Sequence, residues 1–587
     1  MIELSVVIPT NGKVEELRAC LEALCCQTQL ATDFEVIAVT DESTDVTSKV
    51  LDNLTAPYKL QVMQQRNSGR WNAFNRAVEA AAGRYCLLLM DDIIAHPKLV
   101  AEHLRVQRQH ERVVGVGQII LKLPHRADAF ARDHALERRD HYARLNHGRL
   151  PSFVDCYRGN LSVSRTAFLE AGGFALDVSS GEDAELGYRF ERQGFSFVYI
   201  PEAIACQDYR KGFCEIAADA EKAGLVSIEL STRHPAMLPH LQLGAFYDMS
   251  RSAILLRRLL LTLGVPSHLL AIAGLLFGKR SWTRQWYRFV YSYCYWRGVR
   301  RAVPDRDTWQ RLTRSPVILM YHALGRPGEP PSRYVLQRRR FALQMAWLKW
   351  RGYHVLSLEE FLRDRNEYRL SPARSVILTF DDGYADNRTV GYPILRQHGF
   401  PATIFLVSEG VGGTNRWDSD GELAGRPLLS YSNVREMLHG GIRFGAHTRS
   451  HVPLTAVSLS RVKDEVERSQ ADLERGLGFP ILTFAYPHGE YNPAVQAVVE
   501  GAGFLGACSC HSGVNDLVVP SHALRRIEVR GTDSFIRFAL ALWLGIPARS
   551  HSYGRVCDHA EVEPRIGADL PDEATDGTRS ASIRKRS

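Results

Sequence analysis

The stretch SVILTFDDGYADN, Ser375 to Asn387, runs a short β-branched and aliphatic segment straight into two carboxylates, Asp381 and Asp382, and a glycine. An apolar run of this length, bounded by turn residues, predicts a buried strand. Adjacent carboxylates at its end repel each other and lose hydration, so they call for a cation or strong donors nearby. The first half of the chain repeats the design. YCLLLMDDIIAHP, Tyr85 to Pro97, places Asp91 and Asp92 after another apolar run. In mostly parallel α/β sheets, ligands bind beyond the carboxyl ends of the strands. The two doublets therefore predict two α/β units, each with a site at its strand ends.

Working outward, 587 residues are too many for one ordinary core, and two or three domains are expected. The composition is that of a globular protein, 45% hydrophobic and 24% charged, and the net charge of +8 allows attraction to anions without demanding it. The 11 cysteines are scattered with no CxxC pair, which argues against a zinc ribbon or thioredoxin motif and fits a reducing compartment. The opening MIELSVVIPTNG enters a strand directly and has no signal-peptide pattern.

Residues 1–225 alternate strand-like runs (LSVVIPT, FEVIAVTD, RYCLLLMDD) with helical ones (KVEELRACLEALCCQ, AFNRAVEAAAG), the pattern of an α/β unit. Residues 226–314 form a connector of different texture. Within it, Leu259–Gly278 carries no formal charge over a length that can span a bilayer, but Pro266, Ser267 and His268 interrupt its middle. Lys279–Arg314 then has ten Lys and Arg against two Asp, interleaved with Trp and Tyr. Three readings stay open: a helical subdomain packed on the first unit, a helix lying on an anionic membrane, and a true span. No recognition motif accompanies the charge, so no nucleic-acid partner is expected. Residues 315–548 start a second α/β unit with SPVILMYHALG, and the polar tail 549–587 reads as disordered.

In the second unit, GAHTRSH places His447 and His451 four apart. On one helical turn both imidazoles would face the same way and reach one ion. Two His nitrogens and an Asp oxygen with open positions describe a catalytic zinc-type arrangement. Together with LMYHALG, TFDDGYADN, GYPILRQHGFPATIFLV, FAYPHGEYN and LRRIEV, these motifs resemble the NodB-type polysaccharide deacetylases of carbohydrate esterase family 4, over most of 315–548. The resemblance implies a distorted (β/α)7 barrel. It implies a Zn2+ or other transition-metal site of Asp382, His447 and His451. It makes Asp381 the general base and the backbone N–H of Tyr384 an oxyanion donor. Two departures stand out. Ala485 replaces the arginine that usually orients the base, with His488 where tyrosine is usual, and no Leu-x-His motif supplies the general-acid histidine. His322 and His488 are the catalytic candidates for that role.

In the first unit, LSVVIPTNGKVEELRACLEALCCQ, FEVIAVTDESTDVT, LLLMDDIIAHP and GGFALDVSSGEDAELGYRFERQG resemble family 2 glycosyltransferases of the GT-A fold, over residues 3–210. The resemblance implies an inverting enzyme with a nucleotide-sugar donor, UDP-linked by expectation, and Mg2+ or Mn2+. It assigns Pro9, Asp41, Asp91 and Asp92 to nucleotide-sugar binding, with Asp92 also on the metal. Asp183 would be the catalytic base, with Glu182 beside it. Here too there are departures: Thr40-Asp41-Glu42-Ser43 stands for Asp-Asp-Gly-Ser, Met90 for the first acid of D-x-D, and Gln207 for a histidine.

The expectation is thus an α/β protein with two enzymatic heads. One would transfer a sugar to a glycan or lipid-linked saccharide acceptor, and the other would remove N-acetyl groups from a glycan or glycolipid. The alternative keeps only the deacetylase active and makes the first unit a docking module. A nucleotide-sugar donor implies a cytoplasmic first unit, peripheral on the inner membrane face. A single span through 259–278 would instead put the second unit outside.

Overall fold

The computed structural model describes residues 2–10, 14–41, 55–65, 69–156, 159–178, 180–270, 283–326, 328–419 and 421–544. The tail expected to be disordered, and residues 271–278 of the uncharged stretch, lie outside them.

The first sheet has eight strands: β1 (Leu4–Thr10), β2 (Phe34–Asp41), β3 (Lys59–Gln65), β4 (Tyr85–Leu89), β5 (Ile93–Ala95), β6 (Val113–Lys122), β7 (Asn160–Ser164) and β8 (Ser196–Asp208). Their order is β3-β2-β1-β4-β7-β6-β8-β5. β1 pairs in parallel with β2 on one side and β4 on the other, so the chain reverses its direction of winding between β1 and β4. That is a topological switch point, where a crevice opens at the carboxyl ends. Pro9, Thr10, Asp91 and Asp92 all lie there. β1 and β4 are buried throughout, as expected for strands covered on both faces.

A helical layer follows. Its main members are α1 (Ala129–Asn146), α2 (Glu182–Arg192), α3 (Phe213–Arg233), α4 (Arg251–Leu263) and α5 (Thr283–Ala302). α3 runs unbroken across position 225. It crosses α5 very closely: a Cβ at Gly224 would fall on the carbonyl of Tyr295, and one at Gly298 on the carbonyl of Glu221. Several aromatic residues of the basic stretch are core residues. Tyr293, Tyr295 and Trp296 of α5 are at most 2% exposed. Its cations are paired internally: Arg284 and Arg288 with Glu137, and Arg301 with Glu221. The described part of the connector packs as the first of the three readings expects. α4 stops at Gly264, which adopts φ +67°, and no helix among the described residues is long and apolar enough to cross a membrane.

The second sheet contains β9 (Val317–Tyr321), β12 (His354–Leu356), β13 (Ser375–Phe380), β14 (Ala402–Leu406), β15 (Ile442–Ala446), β16 (Thr483–Ala485), β17 (Gly506–Cys508) and β18 (Ile527–Glu528). The short strands β10 (Ala323–Gly325) and β11 (Val335–Gln337) pair separately. All its pairings are parallel, in the path β17-β16-β15-β14-β13-β9-β18, with β12 also on β13. A single parallel bridge, Cys508 to Leu524, draws the two ends together, so the sheet curls into a distorted barrel. β13, the strand of the opening stretch, sits at its centre and is buried along its whole length.

Candidate active sites

Asp381 and Asp382 follow β13 directly, and the backbone bends sharply there. Asp382 and Gly383 both take positive φ, +71° and +73°. For a non-glycine residue this conformation costs free energy and must be enforced by its surroundings. The bend aims the two side chains apart. Asp382 Oδ1 lies 3.5 Å from His447 Nε2 and 3.3 Å from His451 Nε2. The three residues form the one cluster of metal-ligating side chains among the described residues.

The two histidines arrive differently from expectation. No helical turn joins them. His447 follows β15, and the chain then loops through Thr448 and His451, both at positive φ, +63° and +62°. The four-residue spacing works because buried Glu465 holds the loop. Glu465 lies on α6 (Leu459–Leu477) and accepts the N–H groups of Arg449 and Ser450, the Ser450 hydroxyl and the Arg461 guanidinium, all within 2.9 Å.

These residues suit a divalent cation. The His447 Nδ1–H donates to the carbonyl of Ala485 at 2.7 Å, which leaves the Nε2 lone pair facing Asp382. Burial pushes the His447 imidazole down to about 4, so it stays neutral. Asp382 Oδ1 is buried and accepts no hydrogen bond, the state of an acceptor prepared for an ion. Although burial opposes ionisation of Asp382, its neighbours, led by His451, hold the carboxyl well below the ordinary range.

Asp381 has a different partner. Arg526 donates from Nη1 to Asp381 Oδ1 at 2.7 Å and from Nη2 to Oδ2 at 2.8 Å, and its side chain is fully buried. Burial alone would raise the Asp381 carboxyl, but the Arg526 guanidinium, with His447 and His322 beside it, lowers it and keeps the group ionised. Arg526 thus supplies Asp381 with a guanidinium partner that the sequence does not offer at Ala485. Sequence reasoning missed it, though it stands in the LRRIEV segment.

A cavity of about 440 Å3 opens over these groups. His322 and Tyr384 line it, and so does His488, which is exposed at the rim with its ring 5.0 Å from that of His451. The indole of Trp417 also lines it and stacks on His451 at 5.0 Å, a contact with no signal in the motif pattern.

The first unit has a larger cavity, about 1490 Å3, at the switch point. Pro9, Asp91, Asp92 and Asp183 line it. Thr10 Oγ1 donates to Asp91 Oδ2 at 3.0 Å across the β1–β4 boundary, and Gln207 Nε2 donates to Asp92 Oδ2 at 3.0 Å. Asp183 sits in the first turn of α2, behind Gly181 at φ +76°. A side chain at Gly181 would meet Val226 of α3, so the helical layer shapes this end of the site. Glu182 is buried and is not among the residues lining the cavity. Asp41 ends β2 opposite Gln65, and its side chain lies outside the described set, as do Glu42 and Ser43. Among the described residues no three-ligand cluster forms here, and Gln207 offers Asp92 an amide where an imidazole was expected.

The profile of the family described as "Polysaccharide deacetylase" matches residues 369–507, and that of "Glycosyltransferase like family 2" matches residues 3–223. The YxkH protein of Bacillus subtilis, named for a polysaccharide deacetylase, is 25% identical over 234 residues, 39% of this chain and 78% of that protein. The poly-beta-1,6-N-acetyl-D-glucosamine N-deacetylase of Staphylococcus aureus is 28% identical over 179 residues. That match takes in 29% of this chain and 59% of the relative's length. Among solved structures, a mannosyltransferase of Pyrobaculum calidifontis in complex with GDP-Man and Mn2+ is similar at 16% identity and a TM-score of 0.38. It covers 52% of this chain and 88% of its own. The chain joins a glycosyltransferase domain of the family 2 type, at residues 3–223, to a polysaccharide deacetylase domain, at residues 369–507.

Proposed function

We propose that the second unit hydrolyses N-acetyl groups on a glycan, and that the first transfers a sugar from a nucleotide donor to a glycan or lipid-linked acceptor. The observation that carries the deacetylase reading is the split pair: Asp382 faces two imidazoles while Asp381 is clamped by Arg526. Asp382, His447 and His451 would hold a divalent transition metal, which when bound acidifies water and polarises the acetamide carbonyl. Asp381, kept ionised, takes the proton of the attacking water. The N–H of Tyr384 would donate to the developing oxyanion. His322 and His488 are the imidazoles on the cavity wall that can return a proton to the leaving amine. The named activity of the Staphylococcus aureus relative makes a β-1,6-linked N-acetylglucosamine oligomer the first substrate to try.

The test is acetate release from that oligomer beside metal analysis. Asp382→Ala and His451→Ala are expected to lose the metal. Asp381→Asn is expected to keep it and to lose acetate release. Full activity in Asp381→Asn refutes the division of roles.

For the first unit, Asp183 would deprotonate the acceptor hydroxyl, and Asp92 would share Mg2+ or Mn2+ with the donor diphosphate, an arrangement that one or two carboxylates support. The amide of Gln207 on Asp92 favours a second reading, in which this half binds without transfer. Hydrolysis of UDP- and GDP-sugars with Mn2+, wild type against Asp92→Ala, separates the two.

A further inference from the structure

The switch-point cavity has two poles. Its strand-end pole is acidic, with Asp91, Asp92 and Asp183. The opposite wall is built by the helical layer: α1 contributes Arg138, the turn after β8 contributes Arg210 and Lys211, and α3 contributes Lys222. Three carboxylates line that wall, Asp208, Glu215 and Asp219. Asp219 pairs with Lys211 at 2.5 Å, and Glu215 caps α3 by accepting the Gly212 N–H at 3.0 Å. Four cations against three carboxylates leave this wall positive.

Beside the cations lies an ordered ring stack. His134 is stacked on Tyr209 at 5.4 Å and 17°, and it is anchored by a 2.7 Å hydrogen bond to the Tyr287 hydroxyl. Tyr291 of α5 stacks on its other neighbour side at 6.4 Å and lines the same cavity. The connector helix is therefore part of the transferase site. The two poles are close. Gln207 touches Asp92, and Lys211 follows only four residues later, about 14 Å at full extension.

A donor diphosphate bridged by a metal belongs at the acidic pole, because the carboxylates there can share a hard cation with it and the cations of the opposite wall cannot. The basic wall is then left for a second anion on the acceptor side. We infer that the acceptor carries a phosphoryl group, seated among Arg138, Arg210, Lys211 and Lys222, with its saccharide on the His134–Tyr209–Tyr291 ring surface. This rests on the transferase reading of the first unit. The shared chemistry is a sugar phosphate, supplied by a soluble sugar 1-phosphate or by a lipid diphosphate carrier.

Calorimetric titration of the full-length protein in EDTA tests it, with N-acetylglucosamine 1-phosphate, geranyl diphosphate and uncharged methyl N-acetylglucosaminide as probes. At least one phosphoryl probe is expected to bind saturably and the methyl glycoside far more weakly. The stronger phosphoryl probe identifies the source. Arg138→Gln with Lys222→Gln is expected to weaken binding about tenfold or more, as lost charge-assisted hydrogen bonds imply. Lys222→Gln alone, at an exposed side chain, is expected to weaken it in the same direction with an unchanged melting temperature. Asp92→Ala should leave it unchanged. Absence of binding by both phosphoryl probes overturns the inference. So does binding that needs Mn2+ and disappears in Asp92→Ala, since that is the donor pole. Binding of UDP or GDP with Mn2+, measured separately on the wild type, reports on the transferase reading itself.

Discussion

Arg526 and Asp381 form a two-pronged ion pair, 2.7 and 2.8 Å, between the loop before β18 and the end of the central strand β13. The Arg526 side chain is fully buried, and Asp381 reaches only the cavity, with 4% of its side chain exposed. The pair helps set the protonation state of the proposed base, because the guanidinium is the first of the groups, ahead of His447 and His322, that offset the burial of the carboxyl. In Arg526→Ala the carboxyl loses both donors and its pKa rises. The acidic limb of kcat/KM for deacetylation should then move to higher pH, and the maximal rate should fall by about 10²–10⁴. Arg526→Lys, a point charge without the fork, should recover part of both. Metal content should match the wild type throughout. A lowered rate with an unmoved pH limb would show that Arg526 only packs.

Glu465 does for the second histidine what Arg526 does for the base. It touches no proposed ligand, but it satisfies two successive backbone N–H groups immediately before His451. Glu465→Gln keeps one acceptor and presents an NH2 group to donors. Outer-shell changes of this kind cost metal affinity by about 10–100-fold. Equilibrium dialysis with Zn2+ should show that loss, and excess metal should restore much of the deacetylation. A rate loss that metal does not rescue would place the defect elsewhere.

The legibility of the site follows the range of its contacts. Asp381, Asp382 and the strand that carries them were readable because period, burial and turn chemistry act over a few residues. His447 and His451 were readable as companions of Asp382, yet the helical reason given for their spacing was wrong, since a loop held from α6 brings them together. Arg526 lies 145 residues from its partner, and nothing local distinguishes it from its neighbour Arg525. Ala485 announced a missing arginine without saying where the replacement stood. The aromatic residues of α5 left two readings open for the same reason: a membrane surface and a helix-packed core ask for the same side chains, and only tertiary contacts show which of them are buried.

The crossing of α3 and α5 offers a test in which two effects have opposite sign. Replacing Gly298 by alanine in a helix gains about 1 kcal/mol of intrinsic propensity. The added Cβ, however, falls on the backbone carbonyl of Glu221, which cannot swing aside as a side chain can. Overpacking of this kind costs about 1–3 kcal/mol. Gly298→Ala and Gly224→Ala should therefore lower the melting temperature, and the double variant by less than the sum, because the first substitution already separates the helices. A raised melting temperature in either single variant would deny the close approach.

Asp516 ties the deacetylase unit to the helical layer, where its carboxylate accepts the backbone N–H of Tyr247 at 3.4 Å and Arg365 donates to its main-chain carbonyl at 3.0 Å. Burial raises its carboxyl to about 6, more than the Tyr247 N–H, Arg525 and Arg365 lower it, and Asp248 adds to the rise. The unfolded chain has a carboxyl near 3.9. The folded state thus binds the proton more tightly, so stability from the neutral form is fully present below about pH 4 and is lost as pH rises through about 6. An asparagine side chain at this position would mimic that neutral form and still accept from Tyr247. Asp516→Asn should melt above the wild type at pH 7.5, and the gap should close as the pH is lowered to 4. Parallel melting curves across that range would mean that the carboxylate is hydrated where the two units meet, and that its burial costs the fold nothing.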